Sequence, residues 1–492
     1  MPPISFDSIP NNLRVPMAFI EFNNQRANQG AATVAHKVLV IGQRLATGSL
    51  AAGELTRVNS EAQAEAVAGR GSMLAEMLRA KLTAERFVET WALALDDDAA
   101  GSAASGSLVI AGPATAGGVI NLYIAGQRLR VGVAEADAGA AIAPRLVTEI
   151  NAAGRLPVTA VINGGDPAQI DLTCRWAGET GNDIDIRHSY FVGEQLPAGV
   201  AITVTAMAGG AANPDIGTAL AAMGDEWFNT IVMPYTDTAN LNALRDDLLV
   251  RWGPLKMMDG IAYAAVRGNH GATATFGNGR NDFLVSIMGT NLMPTPPWIV
   301  AAVNAAGAAA SLANDPARPL QTLRLPGVLP PAISTRWTLE ERNLLLFDGI
   351  STYTVDAGGN VLIERQITTY QQNAAGIDDP SFLDVNTPAT LGAIRFATRA
   401  RITQKFPRHK LASNGTRFAP GQAIVTPNDI RNELLVLFRE LELRGWVENF
   451  EQYKAELIVE RNTDNQNRID VLSSPDLVNQ FRLYAEQVQF IV

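Results

Sequence analysis

The chain has 492 residues, of which 47% are hydrophobic. A chain of this length exceeds one compact core and is expected to fold as about three domains. Its formal charge of −10 argues against a general nucleic-acid coat. A single cysteine, Cys174, excludes an intrachain disulfide and fits assembly in a reducing cytoplasm. The start of the sequence lacks a secretory signal pattern, and the longest apolar run, Trp298–Leu312, is too weakly apolar to span a bilayer.

The first 30 residues are predicted to form an arm rather than a packed domain. Within it, residues 14–22 (RVPMAFIEF) have the composition of a short apolar strand, and the polar tether NNQRANQG follows. An apolar strand on a tether is typical of a segment that joins another chain. The candidate intersubunit residues of this strand are Arg14, Val15, Met17, Phe19, Ile20 and Phe22.

A discontinuous α/β layer domain is predicted over residues 31–98 and 211–386. Lys37–Ile41 is a continuous apolar run, as in a strand buried on both faces, and a helical stretch over residues 60–84 follows it. Val88–Leu95 completes a βαβ unit. After residue 210 the predicted elements are the strands Thr230–Pro234, Ile261–Val266 and Phe283–Met288 and the helices Ala239–Trp252 and Trp298–Leu312.

Residues 99–210 interrupt this domain and are predicted to form a β-rich insertion. The segment is rich in Ala and Gly, and short runs of strand length alternate with turn signals. One helix is expected near residues 141–152. The predicted strands are Leu108–Ala111, Val119–Ile124, Gln127–Val133, Val158–Ile162, Gln169–Cys174, Asp183–His188 and Ala201–Ala206.

An irregular connector is predicted over residues 313–342, followed by a strand at Asn343–Phe347 and a hairpin of Ser351–Val355 with Val361–Thr369. A C-terminal α+β domain is placed at residues 387–492. Its main helix begins at the cap pair Thr426-Pro427 and ends at Gly445. The strands expected after it are Tyr453–Arg461, Arg468–Leu472 and Phe481–Val492.

The last of these strands has no turn or local partner behind it. Val488, Phe490 and Val492 share one face, and a free apolar edge of this kind is an aggregation hazard unless another chain covers it. The pattern therefore predicts a strand that is added to another chain, with intramolecular edge pairing as the alternative. The candidate intersubunit residues are Tyr484, Val488, Phe490, Ile491 and Val492.

Basic residues concentrate in the stretch from Val385 to Asn428, which contains no Asp or Glu. Such segregation in an acidic protein predicts a docking face for an acidic partner. The alternative is that these side chains neutralise acidic groups in the same fold or in an adjacent copy. The candidate docking residues are Arg395, Arg399, Arg401, Lys405, Arg408 and Lys410.

The sequence predicts no catalytic, cofactor-binding or metal site. The glycines after the first strand, beginning with Gly42, lack dinucleotide-binding spacing, and no phosphate-binding loop motif occurs. Phe276–Gly279 is interpreted as a turn, and the acidic run Asp96–Asp98 as a solvated strand end rather than a cation site. The four histidines are scattered without metal-ligand spacing.

Several extended stretches resemble the tail sheath proteins of contractile-tailed, Mu-like bacteriophages, and the resemblance covers nearly the whole chain. The stretches are SFDSIPNNLRVPMAFIEFNN, LLLFDGISTYTV, ERQITTY, RITQKFPRHKLASNGTRFAPGQAIVTP and VLSSPDLVNQFRLYAEQVQF. The fold class expected is α+β / α/β multidomain: an interrupted α/β layer domain plus an α+β C-terminal domain with exchanged terminal strands.

The resemblance implies a structural subunit that polymerises as hexameric rings around a tail tube and contracts to drive the tube through the host envelope. It also implies tube, baseplate and tail terminator proteins as partners, besides further copies of the chain. The expected location is the virion, after assembly in the host cytoplasm, without nucleic-acid binding, cofactors or membrane insertion. The resemblance places the insertion on the outer surface and the C-terminal domain against the tube. The alternatives are the sheath of a bacterial injection apparatus and an oligomeric α/β enzyme whose arms mediate assembly.

Overall fold

The computed structural model describes residues 34–492, so the predicted strand Arg14–Phe22 lies outside the described residues. The described chain divides into two units. The larger unit comprises Val34–Ala393 and Asn479–Val492, and the smaller unit comprises Ile394–Val478. The end of the chain, which the sequence analysis groups with the C-terminal domain, therefore clusters with the larger unit.

The strands of the larger unit are β1 (Lys37–Gln43), β2 (Leu55–Arg57), β3 (Glu89–Leu95), β4 (Ser105–Ala111), β5 (Gly118–Ile124), β6 (Gln127–Val133), β7 (Val158–Ile162), β8 (Gln169–Cys174), β9 (Ile186–His188), β10 (Ala201–Ala208), β11 (Thr230–Val232), β12 (Ile261–Val266), β13 (Val285–Gly289), β14 (Thr352–Val355) and β15 (Val361–Arg365). Its helices are α1 (Glu61–Ala68), α2 (Met73–Ala84), α3 (Gly139–Ala153), α4 (Gly217–Met223), α5 (Thr238–Trp252), α6 (His270–Asn278), α7 (Pro297–Asn314) and α8 (Leu339–Phe347).

Helix α9 (Asn386–Lys405) begins in the larger unit and ends in the smaller one. The remaining elements of the smaller unit are β16 (Lys410–Leu411), β17 (Ile424–Val425), α10 (Pro427–Leu443), β18 (Val447–Glu448), α11 (Phe450–Glu456), β19 (Ile458–Arg461), β20 (Ile469–Leu472) and β21 (Asp476–Leu477).

A six-stranded sheet in the order β13-β12-β11-β1-β3-β2 forms the centre of the larger unit. Strand β1 pairs in parallel on both sides, with Val38 opposite Thr230 of β11 and Thr90 of β3. This pairing unites the two sequence segments that the insertion separates. The Ala-rich helix α7 packs against β12 and α2, and its side chains Ala301, Ala305 and Ala308 are fully buried. Short side chains allow close approach of a helix and a sheet, which explains the composition of α7.

Between β3 and β11 the chain forms two antiparallel sheets, β10-β4-β8-β7 and β6-β5-β9, together with α3. Six of the seven strands predicted in this segment are confirmed, and β6, β7 and β8 have the predicted bounds. The seventh, predicted over Asp183–His188, is confirmed only over Ile186–His188, because Asp183 ends a short 3-10 helix. The insertion is fixed to the rest of the larger unit by an edge-to-face contact of Trp176 with Trp298, whose ring centroids are 5.6 Å apart. A 2.6 Å ion pair between Arg155 and Glu65 adds a second contact.

Besides the terminal strand, three of the predicted local structures are wrong. The segment predicted as a strand at Asn343–Phe347 is the end of helix α8, because Thr338 and Glu341 form a reciprocal capping box at its start. The predicted turn Phe276–Gly279 begins inside helix α6. In the smaller unit, Tyr453 lies in helix α11, and the strand predicted from that residue begins only at Ile458.

Helix α10 organises the smaller unit. It begins at the predicted cap, where Thr426 and Asp429 exchange hydrogen bonds. Its buried face carries Phe438, whose ring stacks on that of Tyr453 at a centroid distance of 4.1 Å. Stacking of two buried rings holds α11, and therefore the start of β19, against α10. Among residues 34–492, no helix has the length and hydropathy of a membrane-spanning segment.

Two helical glycines make a matched test of the packing in the larger unit. A Cβ atom on Gly277 would lie 2.1 Å from the carbonyl oxygen of Asp348 and 2.7 Å from Ile350 Cγ1. We expect Gly277→Ala to destabilise the protein by about 1–3 kcal/mol through overpacking. A Cβ on Gly307 would meet nothing within 4 Å, so Gly307→Ala is expected to stabilise by about 0.5–1 kcal/mol. Thermal melts of both variants check this, and equal melting temperatures would contradict it.

Candidate assembly interface

The β19–β20 hairpin has two open edges. The strands pair in antiparallel fashion, with Ile458 opposite Leu472 and Val459 opposite Val471, and no other strand of the described chain pairs with either. Isolated two-stranded sheets are marginally stable in water. The hairpin therefore offers rows of unpaired backbone donors and acceptors on which a further strand can be added.

An apolar groove of 430 Å³ lies beside this hairpin, entirely within the smaller unit. One side is formed by Ile469 and Val471 of β20, and the other by α9 and the buried face of α10. The apolar side chains that line the groove therefore lie next to the unpaired backbone groups of the hairpin. A strand added to this sheet could therefore bury one apolar face while pairing its backbone. The apolar residues of the two helices that line the groove are Ile394, Ile402, Ile430, Leu434, Leu437, Phe438 and Leu441.

The predicted terminal strand Phe481–Val492 has no regular secondary structure and is not paired as a strand in the single chain. Its apolar side chains face solvent, with Val488 72% and Phe490 82% exposed. The prediction of a strand is therefore wrong for the isolated subunit, because strand pairing needs a partner that residues 34–492 do not supply. Its proposed role as an intersubunit strand stays a prediction.

Two of the candidate docking residues form ion pairs within the smaller unit. Arg401 pairs with Glu433 at 2.8 Å and also with Glu440, and Lys405 pairs with Glu433. The Arg401 side chain is 17% exposed and that of Lys405 is 53% exposed, and both join α9 to α10 through the buried carboxylate of Glu433. For these two residues the alternative interpretation of the basic stretch applies: they neutralise acidic groups of the same fold.

The other basic residues of the stretch are placed differently. Arg399, Arg408 and Lys410 are exposed, and none of them makes an ion pair with another described residue. Lys410 donates a hydrogen bond to Gln422 at 3.1 Å. Arg395 is half-buried near the start of the smaller unit. The exposed cations, rather than the whole set of six, are therefore available to an acidic partner.

The ion pairs of Glu433 predict acid sensitivity of the smaller unit. Although burial opposes ionisation, hydrogen bonds from Lys405 and Arg401 hold the pKa of Glu433 below its ordinary value. Because the folded pKa is the lower one, the stabilisation is fully present above the unfolded value of about 4.3 and is lost as pH falls through the folded pKa. Hydrogen exchange of α10 should accelerate in that window, and less so in Glu433→Gln. Glu442→Gln, on the same helix, is the control; equal acceleration in both variants would contradict the assignment.

The sequence does not single out the β19–β20 hairpin as part of the candidate interface. Its strands are predicted, at least in part, but nothing assigns them as the surface to which a terminal strand adds. The available signal is a pair of short segments that contain Ile and Val, IVER and IDVL, on either side of the polar turn at residues 462–468. The candidate N-terminal residues, Arg14 to Phe22, lie outside the described residues. Among those described, no cluster of His, Cys, Asp or Glu could hold a metal ion.

Comparison with known proteins defines the class to which this architecture belongs. Residues 209–369 match the model of the phage tail sheath protein central domain, and residues 378–491 match that of the phage tail sheath C-terminal domain. The Mu-like prophage FluMu tail sheath protein of Haemophilus influenzae is 50% identical over 489 residues, which cover 99% of this chain and 100% of that protein. The chain belongs to the phage tail sheath family, a family of structural proteins rather than enzymes, whose members form part of the virion tail.

Two solved structures of sheath tail proteins are also similar. That from Desulfitobacterium hafniense has 14% sequence identity and a TM-score of 0.47, with 94% of this chain and 100% of that chain covered. That from Listeria innocua has 16% identity and a TM-score of 0.48, with 92% and 94% covered.

Proposed function

We propose that this sheath protein polymerises as hexameric rings around the tail tube, with terminal strands as the joints between subunits. In the joint, the Arg14–Phe22 strand and residues 484–492 add to the β19–β20 hairpin of neighbouring copies. One observation carries the proposal: an exposed apolar segment without strand pairing and a hairpin with unpaired edges occur on the same chain. If the segment pairs with one edge of the hairpin, a row of hydrogen bonds satisfies the unpaired backbone groups of both.

The energy available to such a joint suits a durable connection. Each added backbone hydrogen bond contributes roughly 0.5–1.5 kcal/mol net. Each buried Val, Ile or Phe contributes about 1.5–3 kcal/mol, and Val488, Phe490 and Val492 share one face of the segment. Ordering the tail costs about 1–2 kcal/mol per backbone residue. The hydrogen bonds and buried side chains outweigh this cost only if the apolar face is buried. The groove beside β20 offers that burial.

Such joints also suit contraction. Backbone pairing holds two subunits together while the polar tethers bordering the strands bend, so the bodies of the subunits can slide and rotate. We propose that contraction is driven by repacking of these bodies from a high-energy extended array and drives the tube through the host envelope. The baseplate would trigger the change at one end and a tail terminator would close the other.

We propose that the exposed cations Arg399, Arg408 and Lys410 face the tail tube. Long-range attraction between a cationic strip and an acidic tube would align subunits as they add. Exposed charges separated by more than about 8–10 Å are screened at physiological salt, so this contact would weaken as salt is raised. A weak, salt-sensitive contact suits a sheath that must release and slide along the tube.

Electron microscopy of the purified protein at rising concentration tests the assembly itself. We expect long hollow tubes with a helical repeat, or coated tubes once tail tubes are added to nucleate growth. Dispersed particles at every concentration, with and without tail tubes, would overturn the proposal. The enzyme alternative is set aside because the chain belongs to a structural family.

A further inference from the structure

The C-terminal tail is held at one point before it becomes free. Arg482 forms a 2.9 Å ion pair with Asp384, and its side chain is only 16% exposed. Its Nη1 also donates a hydrogen bond to the side-chain oxygen of Gln321 at 3.1 Å. Asp384 is in turn held by Arg365, which donates through Nε at 3.0 Å and Nη2 at 2.9 Å. One carboxylate thus binds two guanidinium groups, which leaves Arg482 little freedom.

The residues next to Arg482 contact the same part of the larger unit. The Gln480 side chain donates to the carbonyl oxygen of Ala317 at 3.3 Å, and Gln321 donates to the carbonyl oxygen of Phe481 at 3.4 Å. Beyond Arg482 the pattern stops. In residues 483–492 the hydrogen bond described is the local one from Tyr484 to Glu486. Arg482 is therefore the last residue of the chain for which a hydrogen bond to the rest of the larger unit is described.

We propose that Arg482 is the anchor that fixes where the C-terminal strand leaves its own subunit, with Asp384 and Gln321 as its receptor. The inference rests on the strand exchange proposed above. Residues 483–492 can span about 33 Å when extended, at ~3.3 Å per residue, so a fixed exit point limits which neighbouring hairpin the strand can reach. A fixed exit also sets the register, because a slip of one residue turns Val488 and Phe490 to the opposite face.

The anchor also raises the chance that the strand finds its acceptor. A segment tethered at one fixed point samples a small volume, and its effective concentration at a correctly placed acceptor is correspondingly high. When the anchor opens, the free segment lengthens by several residues and the exit direction is lost. Arg482 is therefore a positioning residue and makes no contact with the acceptor strand itself.

Limited chymotrypsin digestion tests the anchor directly, since Phe481 and Phe490 are both exposed, at 72% and 82%. Cleavage needs a locally free backbone, so the bond after Phe490 should be cut at least about tenfold faster than the bond after Phe481. Asp384→Asn leaves the tail sequence unchanged and should reduce that ratio about tenfold. Gln321→Ala should reduce it less, and Arg86→Gln, an exposed arginine in the larger unit, should not change it. An unchanged ratio in Asp384→Asn and Gln321→Ala would overturn the anchor.

Polymerisation assays of two kinds of variant distinguish failure of the anchor from failure of the proposed strand exchange. We expect Arg482→Gln to raise the concentration needed for sheath assembly about tenfold, Arg482→Lys to raise it less, and deletion of residues 484–492 to prevent assembly. If the deletion prevents assembly but Arg482→Gln assembles as the wild type does, the anchor has no positioning role and the inference fails. If the deleted protein also assembles normally, the strand exchange itself fails, whatever the digestion pattern.

Discussion

Deletion of residues 484–492 should leave a folded protein that does not polymerise. The segment removed forms no helix or strand, and the side chains Val488 and Phe490 are mostly exposed in the single chain, so the subunit loses few internal contacts. The assembly loses a whole strand, which is worth several kcal/mol per joint by the terms given above. Since each 1.4 kcal/mol is a factor of ten in concentration, assembly should require more than about a hundredfold more protein.

Two neighbouring substitutions provide the control for this deletion. Phe490→Asp places a charge on the apolar face of the strand, whereas Gln489→Asp places the same charge on the opposite face. We expect Phe490→Asp to raise the assembly threshold about 10–100-fold and Gln489→Asp to change it little. Sedimentation gives the threshold, and circular dichroism confirms that each variant is folded. Normal polymerisation of the deleted protein, or equal effects of the two substitutions, would contradict the strand-exchange account.

Charge reversal of the exposed cations should prevent assembly on the tube but leave the subunit folded. The triple variant Arg399→Glu, Arg408→Glu and Lys410→Glu alters side chains that form no ion pairs with the described residues. We therefore expect normal thermal stability but loss of tail-tube coating, since an acidic tube would now repel the subunit. Co-sedimentation with purified tubes at physiological salt measures the loss.

Arg401→Gln is the matched variant for this experiment, because Arg401 belongs to the same basic stretch but is paired internally. Its loss leaves the partly buried Glu440 without the cation that it pairs with, and leaves Glu433 with Lys405 alone. Removal of one partner from such a pair should destabilise the smaller unit by about 2 kcal/mol or more. The two variants should thus fail differently, one in coating and the other in stability. Unimpaired coating by the triple variant would show that these cations do not face the tube.

The alternation and composition of apolar residues predict much of the secondary structure. Strands β6, β7 and β8 match their predicted bounds because each combines strand-forming residues with clear turn signals on both sides. Helix α10 is equally readable, since Thr426 and Pro427 mark its start. Turn and cap residues act locally, and tertiary packing does not change the secondary structure at these positions.

The misassigned elements show where apolar composition is insufficient. NLLLF has the apolar run of a strand, yet it ends helix α8 because a capping box starts a helix upstream of it. The box consists of Thr338 and Glu341, which lie five and two residues before Asn343. That signal is present in the sequence and could have been used. Tyr453 lies in a helix because its ring must stack on Phe438, a contact that no local pattern reveals.

The candidate interface is readable only in part. The sequence shows an apolar terminal segment and a basic stretch, because both are continuous along the chain. It does not show that Arg401 and Lys405 are neutralised by Glu433, since that pairing depends on how α9 lies against α10. Nor does it show that Arg482 is bound by Asp384, roughly a fifth of the chain away. Contacts between distant segments arise from packing and require the structure.

The most direct test of this account is a cryo-electron microscopy map of the assembled sheath at a resolution that traces the backbone. We predict that residues 484–492 of each subunit form a strand hydrogen-bonded to the β19–β20 hairpin of another copy, with Phe490 buried in its groove. A map in which these residues fold back onto their own subunit, or in which both edges of the hairpin remain unpaired, would contradict the account.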